Sequence, residues 1–103
     1  MSDALVSNNL SRHRYELRMG EKIIGFSEYN LVGHDAVLFS HTEIEEGHEG
    51  KGYGSQLARS ALDDVRAQGK QVIPMCPFIA AFIRRHHEYL EIVRPDMRAA
   101  LGI

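Results

Sequence analysis

Hydrophobic and polar positions alternate in one clear segment of the first half of the chain. Between residues 14 and 19, apolar side chains occupy every second place and charged ones fill the places between, which predicts a half-buried strand. Glycine and glutamate follow and predict a tight turn. Residues 22–30 and 36–44 predict two further strands, separated by the turn sequence VGHD. Residues 1–11 are polar and have no clear period, so we expect a loose lead-in there.

A helical period replaces this alternation after the glycines at 50–54. Apolar side chains recur at i, i+4 and i+8, which is typical of the buried stripe of an amphipathic helix (Leu57, Ala61 and Val65). Gly69 predicts the end of that helix. Residues 71–75 predict a short buried strand, and Pro77 predicts the start of a second helix, because proline is tolerated in a first helical turn. A short terminal helix or tail follows Pro95.

The predicted order of elements is β-β-β-α-β-α. A strand–helix–strand unit normally places its two strands in one sheet, so the third and fourth predicted strands are expected to be parallel or splayed neighbours. The fold class that follows is α+β, with a mixed, largely antiparallel sheet and two main helices. The length of 103 residues suits a single domain spanning residues 1–103.

Composition and charge narrow the class of protein. The hydrophobic share of 44% is ordinary for a globular domain, and no apolar run approaches the roughly 20 residues of a membrane span. A net charge of −2 provides no general attraction for nucleic acid or anionic membranes. The N-terminus lacks a basic region followed by an apolar core, so no secretory signal is predicted. Cys76 stands alone, which excludes an internal disulfide and a cysteine-rich zinc site and favours the reducing cytoplasm.

The junction EEGHEGKGYGSQL, residues 45–57, is the candidate binding loop. Gly50, Gly52 and Gly54 lie between a predicted strand and a predicted helix, where glycine allows a sharp turn and a close ligand. The free N–H groups of a first helical turn make such a junction an anion site; a surface loop without ligand is the alternative. The Walker loop needs serine or threonine directly after its lysine, and here Gly52 follows Lys51. The spacing of the glycines also excludes the dinucleotide pattern.

Two segments resemble the GNAT family of N-acetyltransferases. The loop and helix EGKGYGSQLARSAL look like the family's pyrophosphate loop, whose pattern is Gln/Arg-x-x-Gly-x-Gly/Ala. The later segment KQVIPMCPFIAAFIRRHHEYLEIV, together with SHTEI before the loop, resembles the minimal YjdJ-type subgroup. The resemblance covers about residues 12–93.

The resemblance implies that loop amides hold the pyrophosphate of coenzyme A and that the preceding strand pairs with the pantetheine arm. Carried onto this sequence, the coenzyme-binding residues are Thr42, Ile44, Glu49, Gly50, Lys51, Gly52, Tyr53, Gly54, Ser55, Phe82 and Arg85. The thioester of acetyl-CoA is then expected where the strand of Thr42 diverges from the VIPMC strand. No metal is implied.

Two positions depart from the family pattern. Glu49 stands where the family has Gln or Arg and adds negative charge near a phosphate, for which Lys51 and Arg84 or Arg85 are expected to compensate. Larger members of the family often place a tyrosine on the last helix as general acid. Phe82 stands near that position and has no proton to donate.

Three residues are candidates for the chemistry. Acyl transfer to an amine needs a base for the amine proton, and His41 is the first candidate; a structural histidine is the alternative. Glu43 acts through water or is a solvated edge residue. Cys76 ends the strand that faces the thioester and is either a transient acyl acceptor or a small buried residue. We expect His41 and Cys76 to face the same splay between the strands.

The sequence therefore favours an acetyl-CoA-dependent N-acetyltransferase acting on an amine, either a small molecule or an exposed protein amine. One alternative is a non-catalytic acyl-CoA-binding or regulatory module of the same fold. Another is a protein-interaction domain without ligand. No nucleic acid, membrane or metal partner is expected, and the protein is expected to be a monomer or homodimer in the cytoplasm.

Overall fold

A five-stranded sheet with helices packed against it forms the protein in the computed structural model, which describes residues 4–102. The strands are β1 (Ala4–Asn9), β2 (Arg14–Met19), β3 (Lys22–Val32), β4 (Ala36–Ile44) and β5 (Gln71–Pro74). The helices are α1 (Tyr53–Ala67), α2 (Pro77–Arg85), a 3₁₀ helix (His87–Ile92) and α3 (Pro95–Leu101).

The strands lie in the sheet in the order of the sequence. The first four are antiparallel, and β5 pairs in parallel with β4 after the α1 crossover. The predicted class, α+β with a mixed and largely antiparallel sheet, is confirmed. The alternation at 14–19 predicts the bounds of β2, and the run at 36–44, apolar at first and more polar toward its end, predicts those of β4, as the structure has them.

The expectation of a loose lead-in over residues 1–11 is wrong, because Ala4–Asn9 forms the edge strand β1. This strand pairs along its full length with β2. Its sequence ALVSNN shows little hydrophobic alternation, so the pattern alone does not reveal it. Tertiary contacts hold it in place: the side chain of Gln56 in α1 donates a hydrogen bond to the carbonyl of Ala4 at 2.8 Å. Residues 1–3 lie outside the described part of the chain.

The core lies between one face of the sheet and helices α1 and α2. The predicted apolar stripe of α1 is buried and comprises Leu57, Ala58, Ala61, Leu62 and Val65. It belongs to the same buried cluster as Leu17 and Phe39 of the sheet and Phe82 of α2. Each large apolar side chain that is fully removed from water contributes about 1.5–3 kcal/mol to stability, and this fixes both helices on one face.

Strands β4 and β5 diverge halfway along β4. Their pairing ends where Phe39 lies opposite Pro74, and the N–H of Cys76 adds a last hydrogen bond to the Phe39 carbonyl at 2.8 Å. On its other edge β4 stays paired with β3 as far as Ile44. The predicted parallel neighbours are thus present, and residues 40–44 keep an edge that no strand in the range 4–102 occupies.

Glu16 is a buried carboxylate on the face of the sheet away from α1, with 1% of its surface exposed. It accepts hydrogen bonds from Arg14 Nε at 2.7 Å, Arg18 Nη2 at 3.1 Å and Asn9 Nδ2 at 3.1 Å. Burial by itself raises the pKa of Glu16, but these donors outweigh it and hold the pKa below the ordinary glutamate value. A charged Glu16 therefore ties β1 to β2.

Glu16→Gln is expected to lower the free energy of unfolding at neutral pH by about 2 kcal/mol, because charge-assisted hydrogen bonds become neutral and Arg14 loses its ion pair. The folded-state pKa is lowered, so the carboxylate's contribution is fully present above about pH 4.3 and is lost as the pH falls through the lowered value. Urea unfolding of both proteins along a pH series measures this, and their difference should shrink in acid.

Glu28→Gln is the matched control, because Glu28 lies on the neighbouring strand β3 and is exposed. It is expected to change the free energy of unfolding by less than about 0.5 kcal/mol. Equal losses in the two variants, or a loss in Glu16→Gln that does not depend on pH, would contradict the role given to the buried carboxylate.

Candidate functional site

The loop between β4 and α1 is shaped by glycines with left-handed backbones. Gly50 has a φ of 76°, and Gly52, which lies at the cap position of α1, has a φ of 81°. Residues with a Cβ rarely adopt this region, so the path of the loop favours glycine at both positions. The loop therefore turns sharply and starts α1 close behind the end of β4.

The first turn of α1 presents unpaired backbone donors. The first backbone bond of the helix runs from the N–H of Gln56 to the carbonyl of Gly52 at 3.0 Å. The N–H groups of residues 53–55 have no acceptor within the described residues, no side chain caps the helix, and its first turn holds no acidic residue. Together with the positive end of the helix dipole, these donors suit an anion.

A cavity of about 280 Å³ opens between β4, this loop and α2. Thr42, Ile44, Glu49, Gly50 and Gly54 line it, so five of the residues predicted to bind the coenzyme surround one space. Thr42 and Ile44 belong to the stretch of β4 whose outer edge is unpaired. The cavity therefore joins an open strand edge to the turn that suits an anion.

Phe78 forms a further wall of this cavity, and the sequence does not predict it as a site residue. A Cβ at Gly54 would lie 2.6 Å from the end of the Phe78 ring, so the ring packs on the bare backbone of α1. The signal for this contact was a glycine in the first turn of one helix and an aromatic residue in the first turn of the next. Spacing along the chain cannot show that the two turns meet.

Several other predicted coenzyme residues lie outside the cavity lining. Lys51 is exposed in the loop and Ser55 is exposed in the first turn of α1. Tyr53 packs against the core and has its ring centroid 6.0 Å from that of His48. Gly52 acts through the backbone, as the residue that starts α1.

Phe82 and Arg85 lie away from the cavity. Phe82 is fully buried and stacks on His86 with ring centroids 4.1 Å apart. The expected contact between Phe82 and the coenzyme is not supported, because a ligand could reach the ring only by unpacking the core. Arg85 is exposed at the last residue of α2. It is seven positions beyond Phe78, which corresponds to about 10 Å along the helix.

Cys76 occupies the cap position at the start of α2 and is 2% exposed. Its thiol donates a hydrogen bond to Oγ1 of Thr42, with 3.2 Å between sulfur and oxygen. No side chain caps α2, so the positive end of its dipole lies at the sulfur. Thr42 also lines the cavity, and the thiol is therefore one side chain away from it.

His41 and Glu43 lie on the opposite face of the sheet from Cys76. Nε2 of His41 is 3.4 Å from Oε1 of Glu43, and both side chains are more than half exposed. The ring centroid of His41 is 6.0 Å from that of Phe26 on the same outer face. The expectation that His41 and Cys76 face the same side of the splay is therefore wrong.

A bulge between β3 and β4 is the physical reason for this error. Phe39 points into the core, and by simple alternation His41 would do the same. The register shifts at Glu28, which makes Ser40 an extra residue in β4. One extra residue reverses the alternation beyond it, so Thr42 faces the helices and His41 faces outward.

A second cavity of about 270 Å³ lies on the outer face beside Glu43. The guanidinium of Arg14 lies over the Phe26 ring in its wall, 4.7 Å from the ring centroid. Glu45, also in the lining, pairs with Lys22 at 2.8 Å. Glu43 pairs with His41 alone among the described residues, so its carboxylate has no lysine or arginine partner there.

Two tyrosines donate hydrogen bonds to carboxylates of α1 and line neither of these cavities. Tyr89 donates to Asp63 at 2.7 Å, and burial together with this bond raises the pKa of Tyr89 to about 12. Tyr15 donates to Asp64 at 2.7 Å, and burial and that bond raise its pKa as well. Both hydroxyls hydrogen-bond to α1 from the core. Neither replaces the tyrosine general acid of larger family members, near whose position this chain has Phe82.

Residues 4–102 contain no group of three or more His, Cys, Asp or Glu side chains that could hold a metal ion. None of the helices described in that range has both the length and the apolar character needed to cross a membrane.

The sequence profile of the GCN5-related N-acetyltransferases matches residues 14–92, from β2 to the end of the 3₁₀ helix. The chain belongs to this family. Four chains of solved structures are significantly similar to it. One is the NMR solution structure of a GCN5-like candidate N-acetyltransferase from Staphylococcus aureus, with a TM-score of 0.69 and 16% identity over 91% of each chain; at that identity the likeness concerns the fold. No curated protein matches significantly.

The family match confirms the resemblance inferred from the glycine loop and the VIPMCPF segment. At the level of the family, the match places this chain among the acyltransferases. The matched range contains the cavity residues of β4, the loop and Cys76, whereas β1 and α3 lie outside it.

Gly54→Val is expected to weaken coenzyme A binding at least about tenfold, because the new side chain must displace Phe78 or occupy the cavity. Isothermal titration with coenzyme A measures the affinity. Ala67→Val is the matched control, since it adds a branched side chain at the exposed far end of the same helix. A folded Gly54→Val protein with wild-type affinity would show that the ligand binds elsewhere.

Proposed function

We propose that the protein transfers the acetyl group of acetyl-CoA to an amine. The observation that carries this proposal is the single cavity that joins the unpaired edge of β4, at Thr42 and Ile44, to the glycine turn of α1. A strand edge with free N–H and C=O groups suits the amides of the pantetheine arm. The turn with its free amides suits the pyrophosphate.

The pyrophosphate would be held mainly by the backbone amides of residues 49–55. Glu49 lines the cavity, so its carboxylate opposes a phosphate placed there. Lys51 is two residues away and exposed, and its long side chain can reach an anion at the turn. Ile44 and Phe78 provide apolar surface for the methylene groups of the arm.

The amine would approach from the outer face, where β4 and β5 diverge. An ammonium group must lose a proton before its nitrogen attacks the thioester carbonyl. In this proposal the exposed imidazole of His41 takes that proton, and the carboxylate of Glu43, 3.4 Å away, stabilises the imidazolium. The carboxylate of Glu43, without a lysine or arginine partner among residues 4–102, suits a cationic acceptor.

Cys76 allows two routes for the acetyl group. In direct transfer the amine attacks acetyl-CoA, the amide forms and the coenzyme leaves as its thiol. In the two-step route the sulfur of Cys76 attacks first, the coenzyme thiol leaves, and the S-acetyl group then passes to the amine and restores the cysteine thiol. The contact between Cys76 and Thr42 at the cavity supports considering both routes.

A non-catalytic acyl-CoA-binding or regulatory module is the second candidate. Glu49 in the cavity lining favours it, because a carboxylate weakens a phosphate site. No tyrosine among residues 4–102 lines the cavity, and this favours the module as well. In either case we propose a cytoplasmic location, which the single cysteine supports. Size-exclusion chromatography would distinguish a monomer from a homodimer.

The experiment that tests the proposal has two stages. Calorimetry with acetyl-CoA and with coenzyme A should show binding of both. Release of the coenzyme thiol should then depend on an added amine, measured across alkylamines, polyamines and lysine-containing peptides. Failure of both coenzymes to bind at high micromolar concentration would overturn both candidates, and binding without amine-dependent thiol release would favour the module.

His41→Gln is expected to lower the turnover of the preferred amine about a hundredfold at neutral pH, because the base for the ammonium proton is lost. The deficit should shrink at high pH, where more of the amine is already neutral. His87→Gln, at an exposed histidine of the 3₁₀ helix, is the control. Unchanged turnover in His41→Gln would remove His41 from the role of base.

Cys76→Ala separates the two routes of transfer. Intact mass spectrometry measures whether acetyl-CoA adds one acetyl group to the protein. An acetyl group that appears on the wild type, is absent from the variant and is removed by amine would establish the S-acetyl route. Full turnover in Cys76→Ala would establish direct transfer.

A further inference from the structure

Ser27 has a fully buried hydroxyl group. Neither the packing of the core nor the proposed reaction explains why a polar side chain lies there. In the described part of the chain, Glu16 and Ser27 are the two buried polar or charged side chains. Three donors account for Glu16, as shown above. Ser27 lies in the middle of β3 and is 0% exposed. Its hydrogen-bond partner is Thr42, with 2.9 Å between the two hydroxyl oxygens.

Ser27, Thr42 and Cys76 form a line of three hydrogen-bonding side chains across the sheet. Ser27 lies directly opposite Thr42 in the pairing of β3 with β4. The thiol of Cys76 reaches the same Thr42 oxygen from the other side at 3.2 Å. Of these three residues, Thr42 is the one that lines the cavity between β4, the glycine loop and α2.

The hydrogens of this line can be arranged in two directions. Each hydroxyl carries one hydrogen and can both donate and accept. When the Cys76 thiol donates to Thr42, the hydroxyl of Thr42 is free to donate to Ser27. When the sulfur carries negative charge it has no hydrogen to give, and both hydroxyls can rotate so that Ser27 donates to Thr42 and Thr42 donates to the sulfur.

We infer that Ser27 is a positioning residue that reverses this hydroxyl relay and thereby directs the Thr42 hydroxyl to the sulfur of Cys76 whenever that sulfur is negatively charged. The inference rests on the proposed function, because it concerns the sulfur beside the proposed acetyl site. No proton passes along the relay. Each hydroxyl keeps its own hydrogen and turns, and the thiol proton leaves to solvent.

A negative charge inside a protein needs a hydrogen-bond donor close to it. A donor that receives a hydrogen bond itself donates more strongly, which is what Ser27 adds to Thr42. Pro77, the first residue of α2, has no N–H and therefore offers no donor next to the cap position. The relay adds a side-chain donor from the sheet.

The charged side chains on the surrounding elements do not donate hydrogen bonds to the sulfur of Cys76 among residues 4–102. The charged or titratable side chains nearest along these elements are placed on the outer face, at the loop or at the far end of α2: Glu28, His41, Glu43, Glu49, Arg84 and Arg85.

An NMR titration of the Cys76 sulfur tests the relay. The protein is labelled with carbon-13 at the cysteine Cβ, and the chain has 1 cysteine, so one signal reports the thiol-to-thiolate midpoint. Thr42→Val should raise the midpoint by about one pH unit and Ser27→Ala by about half a unit, because the thiolate loses a donor or a strengthened donor. Ser27→Ala/Thr42→Val should shift no further than Thr42→Val alone.

Two further variants serve as controls for the titration. Thr42→Ser keeps a hydroxyl at the centre of the line and should restore a midpoint close to the wild-type value. Ser40→Ala removes an exposed hydroxyl from the same strand and should leave the midpoint unchanged. Amide spectra of each variant confirm that it is folded; Ser27→Ala removes one oxygen, and Thr42→Val probes the same relay at its half-buried centre.

A wild-type midpoint in folded Ser27→Ala would overturn the relay, and so would shifts that simply add in the double variant, because independent hydroxyls would then act on the sulfur. The titration requires no coenzyme. A protein that shows the coupled shifts but does not bind acetyl-CoA would therefore keep the relay and lose the proposed function. A protein that binds acetyl-CoA but shows no coupled shifts would keep the proposed function and lose the relay.

Discussion

The early end of the pairing between β4 and β5 is the constraint on which the site depends. The last bond of that pairing comes from the N–H of Cys76 to Phe39, after which Pro77 begins α2. The open edge of β4, the thiol at the start of α2 and the Phe78 ring on Gly54 all follow from this one divergence. A β5 longer by a few residues would occupy the strand edge that lines the cavity.

Local periodicity explains why so much of the fold could be predicted from the sequence. Alternation predicted the bounds of β2, and an apolar run that becomes polar predicted those of β4. The stripe of Leu57, Ala61 and Val65 marked the buried face of α1, and Pro77 marked the start of α2. The cavity residues were also within reach, because the glycine loop and the strand before it are contiguous in the chain.

Features that depend on contacts between distant segments were out of reach. The bulge at Ser40 turns His41 away from Cys76, and no local pattern marks where a register will shift. Strand β1 is held by β2 and α1 and not by its own alternation. Phe78 meets Gly54 only after two helices are packed, and the buried Glu16 looked like one of the exposed charges that alternate along β2.

Strand β1 also bears on how the limits of this domain should be drawn. The family profile begins at residue 14, yet β1 covers the outer edge of β2 and supplies one of the donors to Glu16. A recombinant fragment cut at the limits of the family match would expose a row of unpaired backbone groups along β2. Such an edge can pair with the same edge of another molecule, so insolubility of that fragment would reflect the cut and not the stability of the intact protein.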